Sequence, residues 1–283
     1  MKDLQKLQQI NISMAKEFAE FCEREGLLCY LCGGGCIGAV RNKGMIPWDD
    51  DLDFFMPRAD YEKAWRLWKD GRYVLEKPSG ELVTHDLFFK IRDRETTYIR
   101  EYETDVPTVR GVALDILPLD GYPGKRLSRM LQCFWAYVYS LFCAQLIPRN
   151  HGRTIQWISR ACLALVPGRK SRYHIWKFAE KQMTKYPMEK CIGYTELCSG
   201  PKWLRNLYPL DAFAEAVKVP FEQIELPIPS GYDQYLRIAF GDYMQLPPKE
   251  ERVPSHDAVV MDLNKPYDEW IREHETYNHC SGL

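Results

Sequence analysis

The sequence predicts an α+β fold, a mixed sheet flanked by helices, with a helical segment inserted in the middle of the chain. Three observations carry this. Apolar residues recur at helical spacing over the first 25 positions, 73–117 is a series of short β-branched and aromatic runs, and from 127 to 166 the chain turns helical and apolar. The 283 residues suffice for one large domain or for a domain with an insertion. The expected division is 1–126 as the core, 127–190 as the helical insertion and 191–283 as a C-terminal part that completes the core.

In order, Leu4, Leu7, Ile10, Met14, Phe18, Phe21 and Cys22 mark an amphipathic first helix that Gly26 stops. A first strand is expected at 27–31, a short helix at 36–43 closed by Gly44, and an acidic strand after Pro47. The spacing of Tyr61, Ala64, Trp65 and Trp68 predicts a helix over 59–69 that ends at Asp70-Gly71. Further strands are expected at 73–75, 87–91, 96–99 and 112–117. Beyond the helical segment, which Pro167-Gly168 ends, another helix covers 171–187. The stretch 191–210 reads as a loop because of Gly193, Gly200, Pro201 and Pro209. A hairpin arm at 221–228 and a short helix at 232–240 follow.

The chemistry concentrates in 31–56. Gly33, Gly34 and Gly35 allow a sharp turn and close approach of a ligand, and a helix starting near Cys36 would aim free N–H groups and the positive end of its dipole at a phosphate. Side chains alternate along a strand, so Leu52, Phe54 and Met56 should face a core while Asp49, Asp51 and Asp53 share the other face. Like charges that close raise one another's pKa unless a cation neutralises them. Hard oxygen ligands beside a phosphate suit Mg²⁺, which binds through one or two carboxylates plus substrate phosphates. Asp115 stands alone in the apolar run 112–117, where an unpaired carboxylate would be costly without a charge or a metal. Pairing with a structural arginine such as Arg110 is the competing explanation. Arg41, Lys43 and Lys90 are candidate phosphate contacts, Lys90 foremost because apolar residues surround it. His256 is a candidate contact to the acceptor or leaving group, weighed against a plain surface histidine.

The pattern of Gly33-Gly34 followed by Asp51-Leu52-Asp53-Phe54 resembles the nucleotidyltransferase fold superfamily, with a slightly long spacer. Within it, the run from Gly38 through Asp53 resembles the LicD family of phosphocholine transferases, related to fukutin and the fukutin-related protein. So do Asp115-Ile116-Leu117-Pro118-Leu119-Asp120, and Pro229-Ser230-Gly231-Tyr232-Asp233 leading to Gly241-Asp242-Tyr243-Met244 and Pro247-Pro248. Asn42 departs from that family's usual histidine and leaves the acids untouched. The resemblance implies a nucleotidyltransferase-like sheet and places catalysis and the metal at Asp51, Asp53 and Asp115, with Mg²⁺, or Mn²⁺ in its place. The Gly33-Gly34 turn would hold a phosphate of the nucleotide, with Arg41, Lys43 and Lys90 as the candidate phosphate contacts. The donor that the resemblance implies is a CDP-alcohol such as CDP-choline. The acceptor is a hydroxyl of a cell-surface glycan such as lipopolysaccharide or teichoic acid, or of its lipid-linked precursor, and CMP leaves. Two rivals stay open: a Mg²⁺-dependent nucleotidyltransferase that modifies a small molecule and releases pyrophosphate, and a non-catalytic glycan-binding scaffold.

Charge is balanced, with 38 basic and 39 acidic residues, so a nucleic-acid surface is not expected. Ten cysteines and an opening without an apolar signal segment point to reduced thiols and a cytoplasmic setting, with the inner face of the cell membrane as an alternative site. Cys29, Cys32 and Cys36 lack a second metal-binding pair and read as packing residues. The apolar run 130–147 is interrupted by Gln132, Ser140 and Gln145, so a spanning helix is not expected. Two readings of 127–166 stay open: a buried helical subdomain, or an interfacial hairpin whose Arg126, Arg129, Arg149, Arg153 and Arg160 mix with aromatics at a membrane surface.

Overall fold

The computed structural model describes residues 2–104, 106–147, 152–254 and 258–278. Helix α1 (Lys2–Arg24) leads through Gly26, at φ +65°, to strand β1 (Tyr30–Cys32), helix α2 (Gly33–Asn42), strand β2 (Asp53–Pro57) and helix α3 (Arg58–Leu67). Strands β3 (Tyr73–Glu76), β4 (Phe89–Asp93), β5 (Thr97–Arg100) and β6 (Ala113–Pro123) follow. The helical middle is α4 (Arg126–Ala144), α5 (Arg153–Leu165) and α6 (Arg169–Met183). Then come β7 (Cys191–Glu196), the β8 (Ala216–Phe221) and β9 (Ile224–Pro229) hairpin, α7 (Tyr232–Phe240), β10 (Ala258–Asp262) and α8 (Tyr267–Asn278). The arrangement is α+β, as the sequence predicts.

The main sheet runs β1-β2-β6-β4-β3, with β7 on the second half of β6. Among the described residues of this sheet, β2 and β6 run parallel and every other pair is antiparallel. Both faces are covered. Phe54 on β2 meets Phe18 of α1 edge-on at 5.2 Å, and Phe89 on β4 meets Tyr61 of α3 at 4.7 Å, so α1 and α3 cover one face. On the opposite face Phe55 packs on Tyr235 of α7 at 5.7 Å and on Phe213 at 6.3 Å. This double cover explains why Phe54, Phe55 and Met56 are all buried although their side chains alternate. A second hydrophobic cluster joins Ala136, Tyr139 and Phe142 of α4 to Trp176 and Met183 of α6, and to Leu197 and Leu204.

Several boundaries differ from expectation, each for a physical reason. Helix α2 begins at Gly33 rather than near Cys36, because the glycines form its first turn instead of a turn before it. Close packing demands them: a Cβ on Gly35 would lie 2.8 Å from Leu31 and 3.0 Å from Leu52. The first strand is displaced to Tyr30–Cys32, and β2 pairs only from Asp53, leaving 49–52 outside the ladder. Strand β6 continues past Leu117 through Pro118. Its pairing to β4 stops at Ile116 and its pairing to β7 starts at Leu119, so Pro118 falls where β6 has a neighbour on one side only, the place that tolerates a missing N–H.

The expected loop 191–210 contains β7. Gly193 reads as a breaker but is a packing glycine, since a Cβ there would lie 2.2 Å from the Tyr208 carbonyl oxygen where the chain returns to bridge Tyr194. We predict that Gly193→Ala lowers unfolding free energy by about 1–3 kcal/mol, the usual range for forcing atoms into a packed interior. Chemical denaturation would show this as a lower midpoint, and an unchanged midpoint would contradict the packing role.

Candidate active site

Strand register builds the site. Asp53 on β2 stands directly opposite Asp115 on β6, and Asp115 directly opposite Lys90 on β4. Directly opposed residues point to the same face, and adjacent strands lie about 4.8 Å apart. The row continues to Cys32 on one side and Glu76 on the other. Two carboxylates and an ammonium therefore sit side by side on the face that Phe55, Phe213 and Tyr235 close further along.

Each member is conditioned by its neighbours. Burial pushes the Asp53 carboxyl well above the usual carboxylate range, and Asp51 and Asp115 add to the push while Arg100 opposes it. The Lys90 ammonium lies 3.5 Å from Asp115, 3.1 Å from Asp86 and 3.6 Å from Glu103, and donates to the Tyr102 hydroxyl at 3.0 Å. Burial works against its charge, yet Asp115 and Asp86 hold its pKa above the ordinary lysine value. Arg100 Nη1 is 4.0 Å from the other Asp115 oxygen and donates to Tyr102 at 3.3 Å. Asp115 Oδ1 is buried and has no hydrogen bond. Behind this row Arg92 joins Glu76 at 2.8 Å and Glu103 at 2.6 Å, so the inner side is a closed ion network.

The approach segment is held by α1. Gln8 donates to the carbonyl of Asp49 at 2.8 Å and buried Asn11 to that of Asp50 at 2.8 Å, which fixes the acids relative to the helix. Among the described residues, Asp49, Asp50 and Asp51 bring carboxylate oxygens within 4.8 Å of one another. Gly33, at φ +55°, needs to be glycine, and its missing Cβ leaves only open space 3.9 Å from Asp53 Oδ2. Gly34 admits the Asp49 carboxylate, which a Cβ would meet at 2.2 Å.

Residues 26–135 match the family described as LicD/FKTN/FKRP, nucleotidyltransferase domain. Over 274 residues the chain is 27% identical to the lipopolysaccharide cholinephosphotransferase LicD of Haemophilus influenzae, covering 89% of this chain and 96% of that protein. Both likenesses point to the LicD family. The family match spans β1 through the first half of α4 and so contains the whole Asp53–Asp115–Lys90 row.

The expected residues divide. Asp51, Asp53, Asp115, Gly33, Gly34 and Lys90 gather at one place. The Gly33 N–H donates to the Tyr235 hydroxyl at 2.9 Å, and the Asp49 carboxylate lies over Gly34. Lys90 is 1% exposed and faces carboxylates rather than open space. Arg41 and Lys43 lie at the far end of α2, about 12 Å or more from Gly33 at 1.5 Å per residue. There Arg41 donates to the Tyr243 carbonyl at 3.1 Å. Asp115 pairs with Lys90 and Arg100, which corrects the competing pairing with Arg110; the structure leaves Arg110 Nε buried without a hydrogen bond. Cys29, Cys32 and Cys36 are buried core thiols. His256 lies outside the described residues. Sequence reasoning missed Arg100, Asp86 and Glu103. Arg100 follows directly on a β-branched run, which carries no local signal of a site.

The network makes a measurable pH prediction. Burial pushes Glu103 upward, but Arg92 and then Lys90 hold it down at about 2. A depressed carboxyl gives stability that is complete above its unfolded value near 4.5 and is lost as pH falls toward 2. Glu103→Gln should therefore cost about 3–5 kcal/mol at neutral pH, as expected for breaking a buried pair. The difference from wild type should shrink between pH 5 and 2 in urea unfolding; a pH-independent difference would contradict the pairing.

Proposed function

We propose that this chain is a phosphotransferase that moves a phosphoalcohol, phosphocholine in the first instance, from a CDP-alcohol to a hydroxyl of a cell-surface glycan or its lipid-linked precursor. The observation that carries this reading is the Asp53–Asp115–Lys90 row. It sets two carboxylates side by side on one face, one of them with a buried oxygen lacking a hydrogen bond. The likeness to a lipopolysaccharide cholinephosphotransferase supports the substrate class.

The residues fit a divalent cation. Asp115 Oδ1 has no hydrogen bond, and the Asp53 carboxyl is raised by burial and by the charges of Asp51 and Asp115, which a cation would relieve. Asp51, Asp53 and Asp115 would hold Mg²⁺ or Mn²⁺, which when bound neutralises the donor diphosphate and polarises its P–O bonds. Asp115, its Oδ1 held by Lys90, takes the proton of the acceptor hydroxyl as that oxygen attacks the phosphorus bearing the alcohol. The anhydride P–O bond breaks, its electron pair stays on the bridging oxygen, and CMP departs. Lys90 stays on Asp115 and holds it in place. Arg100, 11% exposed where Lys90 is 1%, offers fixed positive charge to the phosphoryl oxygens. Gly33 keeps the way to Asp53 clear of side chains.

The test is mass spectrometry of products after purified protein and Mg²⁺ meet a panel of CDP-alcohols and nucleoside triphosphates with a glycan acceptor. CMP and a phosphoalcohol-bearing glycan are expected; pyrophosphate release from a triphosphate would overturn the reading in favour of nucleotidyl transfer. Asp115→Asn should keep most of the CDP-choline affinity by calorimetry, since Asp51 and Asp53 still hold the donor. Its turnover should fall by at least about 10²- to 10⁴-fold, the worth of general-base help. Near wild-type turnover would remove Asp115 from the mechanism. Asp53→Asn should abolish transfer without lowering the melting temperature of metal-free protein. A raised carboxyl loses stability as pH climbs through its folded value, so removing that charge relieves the fold at neutral pH.

A further inference from the structure

We propose that the outer face of α4, with the neighbouring surfaces of α5 and α6, docks the protein onto an anionic lipid bilayer. On its inner face helix α4 is apolar in the second half, where Ala136, Tyr139 and Phe142 are buried, but polar in the first half. Its inner face carries Arg129 and Gln132, both buried: Arg129 donates to the Thr195 hydroxyl at 3.1 Å and to the Leu204 carbonyl, and Gln132 donates to the Gly121 and Met183 carbonyls at 2.9 and 3.0 Å. Its outward residues are apolar instead. Leu127, Met130, Leu131, Phe134 and Tyr137 are all exposed, Leu127 to 69%. In this first half polar groups are satisfied inside while apolar side chains face out, the reverse of a water-facing helix. Met130, Phe134 and Tyr137 line one groove of about 660 Å³ with Ile192 and Arg126. Phe134, Trp135 and Phe178 of α6 then continue the surface edge-to-face at 5.0 and 5.2 Å. Helix α5 adds Trp157 at 71% and Leu165 at 81% exposure.

Charge identifies the occupant. From Gly121 through Ala179 the chain has ten lysines and arginines and no aspartate or glutamate, in a protein whose formal net charge is −1. Arg126, Arg153, Arg160, Arg169 and Lys170 of this stretch are exposed and have no carboxylate partner among the described residues. Two copies meeting through such a face would bring like charges together with no acid to answer them, whereas anionic headgroups complement them at about 1 kcal/mol per basic residue. Aromatic rings beside arginines at a shallow apolar surface suit the interface, where the rings enter and the cations stay at headgroup level. No helix of the described residues is long and apolar enough to cross a bilayer, so this contact lies on the membrane rather than through it. The proposal does not depend on the transfer chemistry.

The experiment is co-sedimentation of the full chain with vesicles of mixed phosphatidylcholine and phosphatidylglycerol, and with pure phosphatidylcholine vesicles. Binding to the mixed vesicles at low salt is expected, about tenfold or more stronger than to the neutral ones, and falling as salt rises. Arg153→Ala and Arg160→Ala should each weaken it roughly fivefold. The triple variant Leu127→Gln, Met130→Gln, Phe134→Gln changes exposed positions only, so it should keep the wild-type circular dichroism and melting curve while binding about tenfold less. No binding at low salt, or equal binding by the folded triple variant, would overturn the proposal. A lipid-free dimer in light scattering that the triple variant abolishes would also overturn it, assigning the face to a second copy.

Discussion

The parallel pairing of β2 with β6 is the constraint on which the rest of the structure depends. It sets Asp53 against Asp115 on one face, an arrangement that repulsion and desolvation both oppose. The fold offsets this with Lys90 one strand further on and Arg100 beside it, and holds Lys90 in turn with Asp86 and Glu103. Much of the polar architecture of the sheet serves to hold two acids where neither would otherwise settle. One Asp115 oxygen, buried 3.5 Å from the Lys90 ammonium, stays without a hydrogen bond even so.

Glycine does a related job at α2. Gly33, Gly34 and Gly35 each face something that a side chain would strike or hide: open space toward Asp53, the Asp49 carboxylate, and the buried Leu31 and Leu52. The helix therefore starts directly at the end of β1 and packs its first turn onto the acid segment. Gln8 and Asn11 of α1 hold that segment from the other side through its carbonyls. The first helix thus fixes the acid segment as well as covering a sheet face.

What could be read from the sequence was what local periodicity carries. The alternation of Leu52, Asp53 and Phe54 fixes their faces without knowledge of partners, and Asp115 is conspicuous because its neighbours are apolar. Helix α7 was legible residue for residue, since its apolar spacing and flanking glycines are local signals. The rest depended on contacts between distant segments. Gly193 looks like a chain breaker until Tyr208 is seen crossing it, and Gly33 looks like part of a turn until Leu31 and Leu52 are seen against Gly35. Arg100 carries no signal of a site until β5 is placed beside the acids, and Lys90 looks like a free cation until Asp86 and Glu103 close around it. Arg41 and Lys43 are near the acids in sequence, but an intervening helix carries them to its other end.

The central claim is that the Asp53–Asp115 pair, rather than the neighbouring Asp49–Asp50–Asp51 cluster alone, is where a divalent cation is held. Anomalous diffraction from crystals grown with Mn²⁺ and CDP-choline tests this most directly. The account predicts a manganese peak within coordination distance of both Asp53 and Asp115, with the donor diphosphate beside it. A peak bound only by Asp49, Asp50 and Asp51, with Asp115 still turned to Lys90 and Arg100 and no metal between the strands, would contradict it.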